Sequence, residues 1–134
     1  LFRRIVVCYD GSDHSKKALE IAVDLAKRYG AEIIVITVVD IASSTDPSVI
    51  KIAEDVAGQI SSEASEKLSK EGVEHSSIIR HGDPGVEIVK AAEENKADLI
   101  VVGSRGLLTL RRLILGSVSR KVINKSKIPV LVVK

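Results

Sequence analysis

The sequence is poor in the residues that announce many functions. It holds one cysteine, Cys8, so no intrachain disulfide framework exists, and the composition fits a reducing compartment. Aromatic residues make up only 2% of it, which leaves almost no stacking platform for single-stranded nucleic acid. The net charge is +2 despite 28% charged residues, so no one-sided basic excess marks a nucleic-acid binder. No apolar run approaches the roughly 20 residues needed to cross a bilayer. No secretory signal is expected at the start, where Arg3 and Arg4 precede a short run, Ile5 to Cys8, and polar residues follow.

What is present is a regular alternation. Ile5 to Tyr9 is a short β-branched run that stops at Asp10-Gly11-Ser12. Ala18, Ile21, Ala22, Leu25, Ala26 and Tyr29 recur at helical spacing, and Gly30 reads as the residue that ends that helix. Glu32 to Val39 is almost continuously apolar, as expected of a parallel strand covered on both faces. Asp46-Pro47 reads as an N-cap followed by proline. Val49, Ala53, Val56, Ile60, Ala64 and Leu68 then trace one face of a long helix closed by Gly72. Val73 to Arg80 is a weaker strand suited to an edge, and Gly82 to Gly85 is a turn able to open a helix bearing Val86, Ile88, Val89 and Ala92. Leu99 to Val102 is the fourth strand, Ser117 to Lys125 a short helix with Ser117 as candidate N-cap, and Pro129 to Val133 the fifth strand.

Strands alternating with helices imply a parallel sheet with right-handed crossovers. The expected fold is α/β, a five-stranded, doubly wound sheet of order 3-2-1-4-5 with helices on both faces, formed as one domain over residues 1–134. In that order the winding reverses between strands one and four, and ligands bind outside the carboxyl ends of strands at such a point. The loops expected there are Tyr9 to Ser12 and the stretch G-S-R-G-L-L-T-L-R-R-L-I-L-G-S, Gly103 to Ser117.

That stretch has the parts of a phosphate cradle. Gly103 and Gly106 allow close approach of backbone N–H groups to an anion. Gly116-Ser117 opens a helix whose free N–H groups favour negative charge, and the hydroxyls of Ser117 and Ser119 add donors. The same glycines also suit a plain strand-to-helix connection. Arg105 offers charge to a phosphate or stands as a solvated loop residue, and Arg111-Arg112 suits an exposed rim. Leu107, Leu110 and Leu113 to Leu115 are expected to anchor the spacer between the two glycine ends, on the core or on a dimer mate.

Asp10 ends the first strand inside the expected site. A carboxylate there suits ribose hydroxyls or an adenine amino group, or else a cap on the following helix; Ser12 and Asp13 suit the helix start better. Val38 and Val39 end the neighbouring strand, where Val38 could meet a purine and Val39 reads as core. No Walker A loop and no G-x-G-x-x-G occurs. His14, His75 and His81 are scattered without metal-ligand spacing, His81 reading as solvated. No G-x-S-x-G elbow is present, and Cys8 reads as a small buried hydrophobe. No catalytic residue emerges.

The sequence I-V-V-C-Y-D-G-S-D-H-S, the turn H-G-D-P, the run A-D-L-I-V-V-G-S-R-G and the end K-I-P-V-L-V-V-K resemble the universal stress proteins over the whole chain. Gly103-x-x-Gly106, nine residues, then Gly116-Ser117 resembles the G-2x-G-9x-G-[S/T] motif of that family's ATP-binding branch. The resemblance implies an adenine nucleotide alpha hydrolase-like fold and ATP as ligand, commonly with Mg²⁺ or Mn²⁺. Tyr9 and Asp10 would then lie near adenosine, Val38 would meet adenine through its backbone, and Val102 and Gly103 would flank ribose and phosphate. Gly106, Gly116, Ser117, Val118 and Ser119 would surround the triphosphate. It also implies a cytoplasmic role in stress tolerance or regulation, and a homodimer paired through Pro129 to Lys134. An exposed apolar edge strand needs such cover. Two positions depart from the pattern: Tyr9 stands where a smaller residue or proline is often found and could crowd or stack on the base, and Arg105 replaces a histidine seen in some relatives.

Three functions remain open on these grounds: a nucleotide-dependent regulatory module, a slow ATPase or phosphotransferase using the same site, and a structural dimer whose glycines only shape loops.

Overall fold

The computed structural model describes residues 1–40, 44–105 and 115–134. Its elements run β1 (Arg4–Cys8), α1 (Asp13–Tyr29), β2 (Glu32–Val39), α2 (Pro47–Glu71), β3 (His75–His81), α3 (Pro84–Glu94), β4 (Leu99–Gly103), α4 (Ser117–Lys125) and β5 (Val130–Val133). The strands form one sheet of order β3-β2-β1-β4-β5, with every neighbouring pair parallel, as the sequence predicts. Strand β1 sits at the centre, pairing Val6 with Ile34 on one side and with Ile100 on the other. The weak third strand does lie at an edge.

Alternation along the strands divides the core into two layers. Ile5, Val7, Ile33, Val35, Leu99 and Val101 point to the face covered by α1 and α2, where they meet Leu19, Val23, Ala64 and Leu68. Val6, Ile34, Ile36, Ile100 and Val102 point to the other face, against Ile88, Val89, Ala92 of α3 and Val122 of α4. Each fully buried Val or Ile side chain contributes roughly 1.5–3 kcal/mol of transfer free energy. That is why these strands are apolar at nearly every position rather than at every second one.

The helix starts are built from short polar side chains. Ser12 caps α1, Asp46 caps α2 and Asp83 caps α3, with Pro47 and Pro84 just inside the last two. Gly30 and Gly72 end α1 and α2, as expected. At α4 the cap is Gly116, not the expected Ser117, which is already the first helical residue.

Two predicted helix faces shift. On α1 the buried set is Ser15, Ala18, Leu19, Ala22, Val23 and Ala26, while Tyr29 is half exposed and meets the Phe2 ring edge-on at 5.3 Å. On α2 the buried residues are Ala57, Ser61, Ala64 and Leu68, and Val49 and Val56 from the predicted face stand exposed with Ile52. Length explains this. A helix of 25 residues spans about 37 Å, whereas β2 with 8 residues spans only about 26 Å. The amino-terminal turns of α2 therefore overhang the carboxyl end of the sheet.

Candidate functional site

The carboxyl ends of β1 and β4 lie side by side where the chain reverses its winding. The loop after β1 is tied down by its own polar atoms. The Tyr9 amide donates to the Ile36 carbonyl at 2.9 Å, and the Thr37 hydroxyl donates to the Tyr9 carbonyl at 3.0 Å. One oxygen of Asp10 accepts the Ser12 amide at 2.9 Å, so Asp10 closes the turn ahead of α1, while Ser12 is the residue that caps it. An ionised carboxylate offers about four acceptor positions. Asp10 can therefore hold this turn and accept a further hydroxyl or amine. Asp13 is the first helical residue, as expected.

The Tyr9 side chain does not stand in this loop as a stacking surface. It is 2% exposed, within the α1 and α2 core layer, and its hydroxyl donates to Glu63 at 2.7 Å. Burial, the hydrogen bond to Glu63 and the negative charges of Glu63 and Asp10 push the phenol well above its ordinary value. Cys8, on the opposite face, packs against the α3 and α4 layer. Desolvation, then the Asp10 carboxylate, push its thiol up to about 12, which makes it a poor nucleophile.

The two ends of the glycine-rich stretch meet. The Gly116 amide donates to the Ser104 carbonyl at 2.7 Å, and the Ser104 amide donates to the Val133 carbonyl at 2.7 Å. The Ser119 hydroxyl, 2% exposed, lies 3.2 Å from the Ser104 carbonyl and 3.0 Å from the Gly116 carbonyl, its one proton serving both. Ser119 thus faces inward and clamps the junction. Ser117 is exposed and Val118 is half-buried against the α3 and α4 layer. Among the described residues no side chain caps the start of α4, which leaves its first turn of N–H groups as the anion-favouring end of a helix. Gly106 of the expected cradle, with Leu107, Leu110, Arg111, Arg112, Leu113 and Ile114 of the spacer, lies outside the described residues.

Gly103 has a reason of its own to be glycine. A Cβ there would come within 2.8 Å of the His14 Cβ and 2.9 Å of its backbone carbonyl carbon. Helix α1 begins so close to the end of β4 that no side chain fits between them. This contact brings in a residue that spacing alone does not single out. His14 Nδ1 lies 3.0 Å from the Ser104 hydroxyl, and its Nε2 lies 2.8 Å from Arg105 Nη2. His14 therefore sits at the switch point, in the first turn of α1. The signal available in the sequence was its position two residues after Ser12, at a helix start that topology brings to Gly103.

The remaining expected residues fall as follows. Val102 is buried at the end of β4, in the α3 and α4 layer, and Val38 is half-buried at the end of β2 on the same layer. Val39 is core, as expected. His81 ends β3 at the sheet's edge, half exposed, 3.8 Å from Glu54. Among the described residues no cluster of His, Cys, Asp and Glu has the arrangement of a metal site, and no helix is long and apolar enough to cross a membrane. Open hollows lined by Ser61, Ser65, Glu66 and Ser77 lie over α2 and the edge strand, away from the gap between β1 and β4.

Comparison with known proteins agrees with this layout. Universal stress protein YxiE of Bacillus subtilis (strain 168) is 37% identical, over the whole of both chains. The solved structure of the universal stress protein from Archaeoglobus fulgidus in complex with dAMP superposes with a TM-score of 0.80 at 28% identity, covering 99% of this chain and 98% of that one. A universal stress protein solved in complex with cAMP superposes with a TM-score of 0.74 at 33% identity, covering 98% and 96%. Residues 1–134 match the model of the universal stress protein family, and the chain belongs to that family.

Proposed function

We propose that this protein binds an adenine nucleotide, ATP, in the gap between β1 and β4 and acts as a nucleotide-dependent regulatory module of stress tolerance in the cytoplasm. The observation that carries the proposal is the junction at Ser104. The Gly116 amide and the Ser119 hydroxyl draw both ends of the glycine-rich stretch onto one carbonyl, beside an α4 start that no side chain caps. Backbone N–H groups gathered in this way recognise phosphate oxygens without needing a lysine. The donor set fits a polyphosphate at one end and an adenosine at the other. Gly103, Arg105, Gly106, Gly116, Ser117, Val118 and Ser119 serve the phosphates, with Ser119 acting through the clamp. Asp10 accepts a ribose hydroxyl or the adenine amino group, while Val38 and Val102 line the base and sugar. Tyr9 contributes its backbone, its ring being committed to Glu63.

Mg²⁺ or Mn²⁺ would enter with the nucleotide and offset the phosphate charge. Residues 1–134 act as one domain. The apolar strand β5 has β4 on one side only, and pairing with a second copy along Pro129 to Lys134 would cover its other edge. Regulation then requires that ATP bind one conformer or assembly better than another. The dAMP and cAMP complexes of related proteins support an adenosine ligand as a class.

Isothermal titration of the purified protein with Mg·ATP, with AMP and cAMP as competitors, tests the reading. Saturable heat with ATP, lost in a Gly106→Val variant, is the expected result. Absence of heat at high protein concentration would falsify the ATP assignment, and tighter binding of AMP or cAMP would replace ATP by that ligand. Sedimentation of the wild type against a Val132→Asp variant tests the dimer, which the variant should dissociate.

A further inference from the structure

Strand β3 forms one edge of the sheet, and every second residue of it turns its backbone away from β2. The Ile33 amide donates to the Glu74 carbonyl, and the Gly82 amide donates to the Val39 carbonyl. The even-numbered residues of β3 therefore bond toward β2. The N–H and C=O groups of His75, Ser77, Ile79 and His81 point outward, where no described residue pairs with them. Such an edge is a template for another strand. The side chains of the same residues stand on the α2 face. The Ser77 hydroxyl lies 2.7 Å from that of Ser65, and His81 lies 3.8 Å from Glu54. Ile79, between them, is 40% exposed.

Two hollows run along α2 beside this edge. The first reaches β3 and is lined by Ser61, Ser65, Glu66, Ser69, Lys70 and Ser77. Ser61 is only 6% exposed, yet its hydroxyl has no hydrogen-bond partner among the described residues and is open to the hollow. A hydroxyl so placed gains most from a polar group brought in from outside. The second hollow adjoins the first through Ser62 and Glu66 and carries Glu54, Asp55, Glu63 and Glu66 with no basic residue in its lining. Lys51 and Lys16 stand beside Asp55 and Glu63 at 3.2 and 3.8 Å. Glu66, shared by both hollows, makes no ion pair among the described residues. The two hollows are offset along α2 by roughly 9 Å, close to the roughly 7 Å between alternate residues of a strand.

We propose that the β3 edge is a docking site for an extended basic peptide of a partner protein, which adds a strand beside β3, sets a Lys or Arg against Glu66 and sets a Ser, Thr or Asn against Ser61. The peptide's main chain bonds to His75, Ser77, Ile79 and His81 and supplies the affinity. Its side chains on the α2 face, two residues apart, enter the two hollows and supply the selectivity. The carboxylates choose the sign of the partner's charge. This site lies away from the gap between β1 and β4, so the proposal stands independently of the nucleotide reading.

A positional-scanning library of free eight-residue peptides, screened against the purified full chain, tests it. The selected peptides should carry Lys or Arg two residues from Ser, Thr or Asn. Amide hydrogen exchange then locates the contact. In the free protein Ser76, Ile78 and Arg80 should exchange slowly, and His75, Ser77, Ile79 and His81 fast. The selected peptide should slow the second set. Glu66→Gln should weaken that peptide by roughly tenfold, and Ser61→Ala by roughly fivefold. Ser61→Ala should melt no lower than wild type, because it removes a hydroxyl without a partner and alanine favours a helix. Selected peptides without a basic residue, protection on another surface, or undiminished binding by both variants would overturn the proposal. Slow exchange of the outward amides in the free protein, lost on dilution, would overturn it too and assign the edge to a second copy of this chain.

Discussion

The Gly116 amide meets the Ser104 carbonyl at 2.7 Å, so the end of β4 and the beginning of α4 are fixed to each other independently of the residues between them. Ser119, one turn into α4, adds its hydroxyl to the same carbonyl. These bonds hold the anion-favouring start of α4 against the carboxyl end of β4.

Replacing Ser119 by alanine should loosen this base. The change removes a hydroxyl from a buried site and leaves the Ser104 carbonyl with the Gly116 amide, so the cost should be about 1 kcal/mol in chemical denaturation. ATP affinity should fall as well, because α4 loses a tie to β4. Ser117→Ala, at the exposed neighbouring position, should leave stability within about 0.5 kcal/mol of wild type while still weakening ATP. Equal stability losses in the two variants would contradict the assignment of Ser119 as the clamp.

Gly103 and Gly58 make a contrasting pair. A methyl group at Gly103 meets the backbone of His14 at 2.9 Å, so α1 or β4 must move. Overpacking of this kind costs about 1–3 kcal/mol, and Gly103→Ala should lower the denaturation midpoint accordingly. Gly58 lies in α2, and nothing stands within 4 Å of a Cβ there. Gly58→Ala should raise stability by about 0.5–1 kcal/mol through helix propensity alone. Thermal melts of both variants beside wild type measure the two signs directly.

Much of the fold was legible in the sequence for one physical reason. Parallel strands covered on both faces must be apolar throughout, and runs such as Ile33 to Val39 carry that requirement openly. The edge position of β3 was legible too, since His75, Ser76 and Ser77 could not be buried on both sides. The front of α2 was not: its apolar spacing continues through Val49 and Ile52, and only the relative lengths of helix and strand show that these turns overhang the sheet. At the site, Gly103 and Gly116 were marked by their spacing and Ser119 by its hydroxyl, which works inward as a clamp. His14 was missed because its partners, Ser104 and Arg105, lie 90 and 91 positions away and histidine has no spacing rule for such a contact. The inward direction of the Tyr9 ring was not legible, because nothing near it in sequence announces its partner Glu63.

Asp83 joins two helices on the α3 and α4 face. It caps α3 by accepting the Val86 amide at 3.1 Å, and Lys121 of α4 reaches both of its oxygens at 3.0 and 3.1 Å. Lys121, more than the cap itself, holds its carboxyl below the ordinary 3.8. The folded state thus binds this proton more weakly than the unfolded chain does. The stabilisation is complete above pH 3.8 and is lost as pH falls through the lower folded value. Asp83→Ala should cost about 1 kcal/mol at neutral pH, mainly as a lost cap, and that difference from wild type should narrow in acid by the part that depends on the charge facing Lys121. Urea denaturation at pH 7 and at about pH 2.5 gives the comparison.

At the alkaline end the sign reverses, and Cys8 sets the first part of the loss. Its thiol is pushed from an ordinary 9.0 up to about 12 by burial and by Asp10, so the folded state holds the proton more tightly than the unfolded chain. This contribution is fully present below pH 9.0 and declines as pH rises toward the folded value. Tyr9 adds a second loss of the same sign only above its ordinary 10.0. Between pH 9.0 and 10.0 the slope of wild-type stability against pH should therefore be steeper than that of Cys8→Ala, and the two should run parallel below pH 8, about one unit under the thiol's ordinary value. Thiol reagents should label native Cys8 far more slowly at pH 8 than the denatured chain. Rapid labelling of the native protein would mean that the thiol is neither shielded by the α3 and α4 layer nor held protonated beside Asp10.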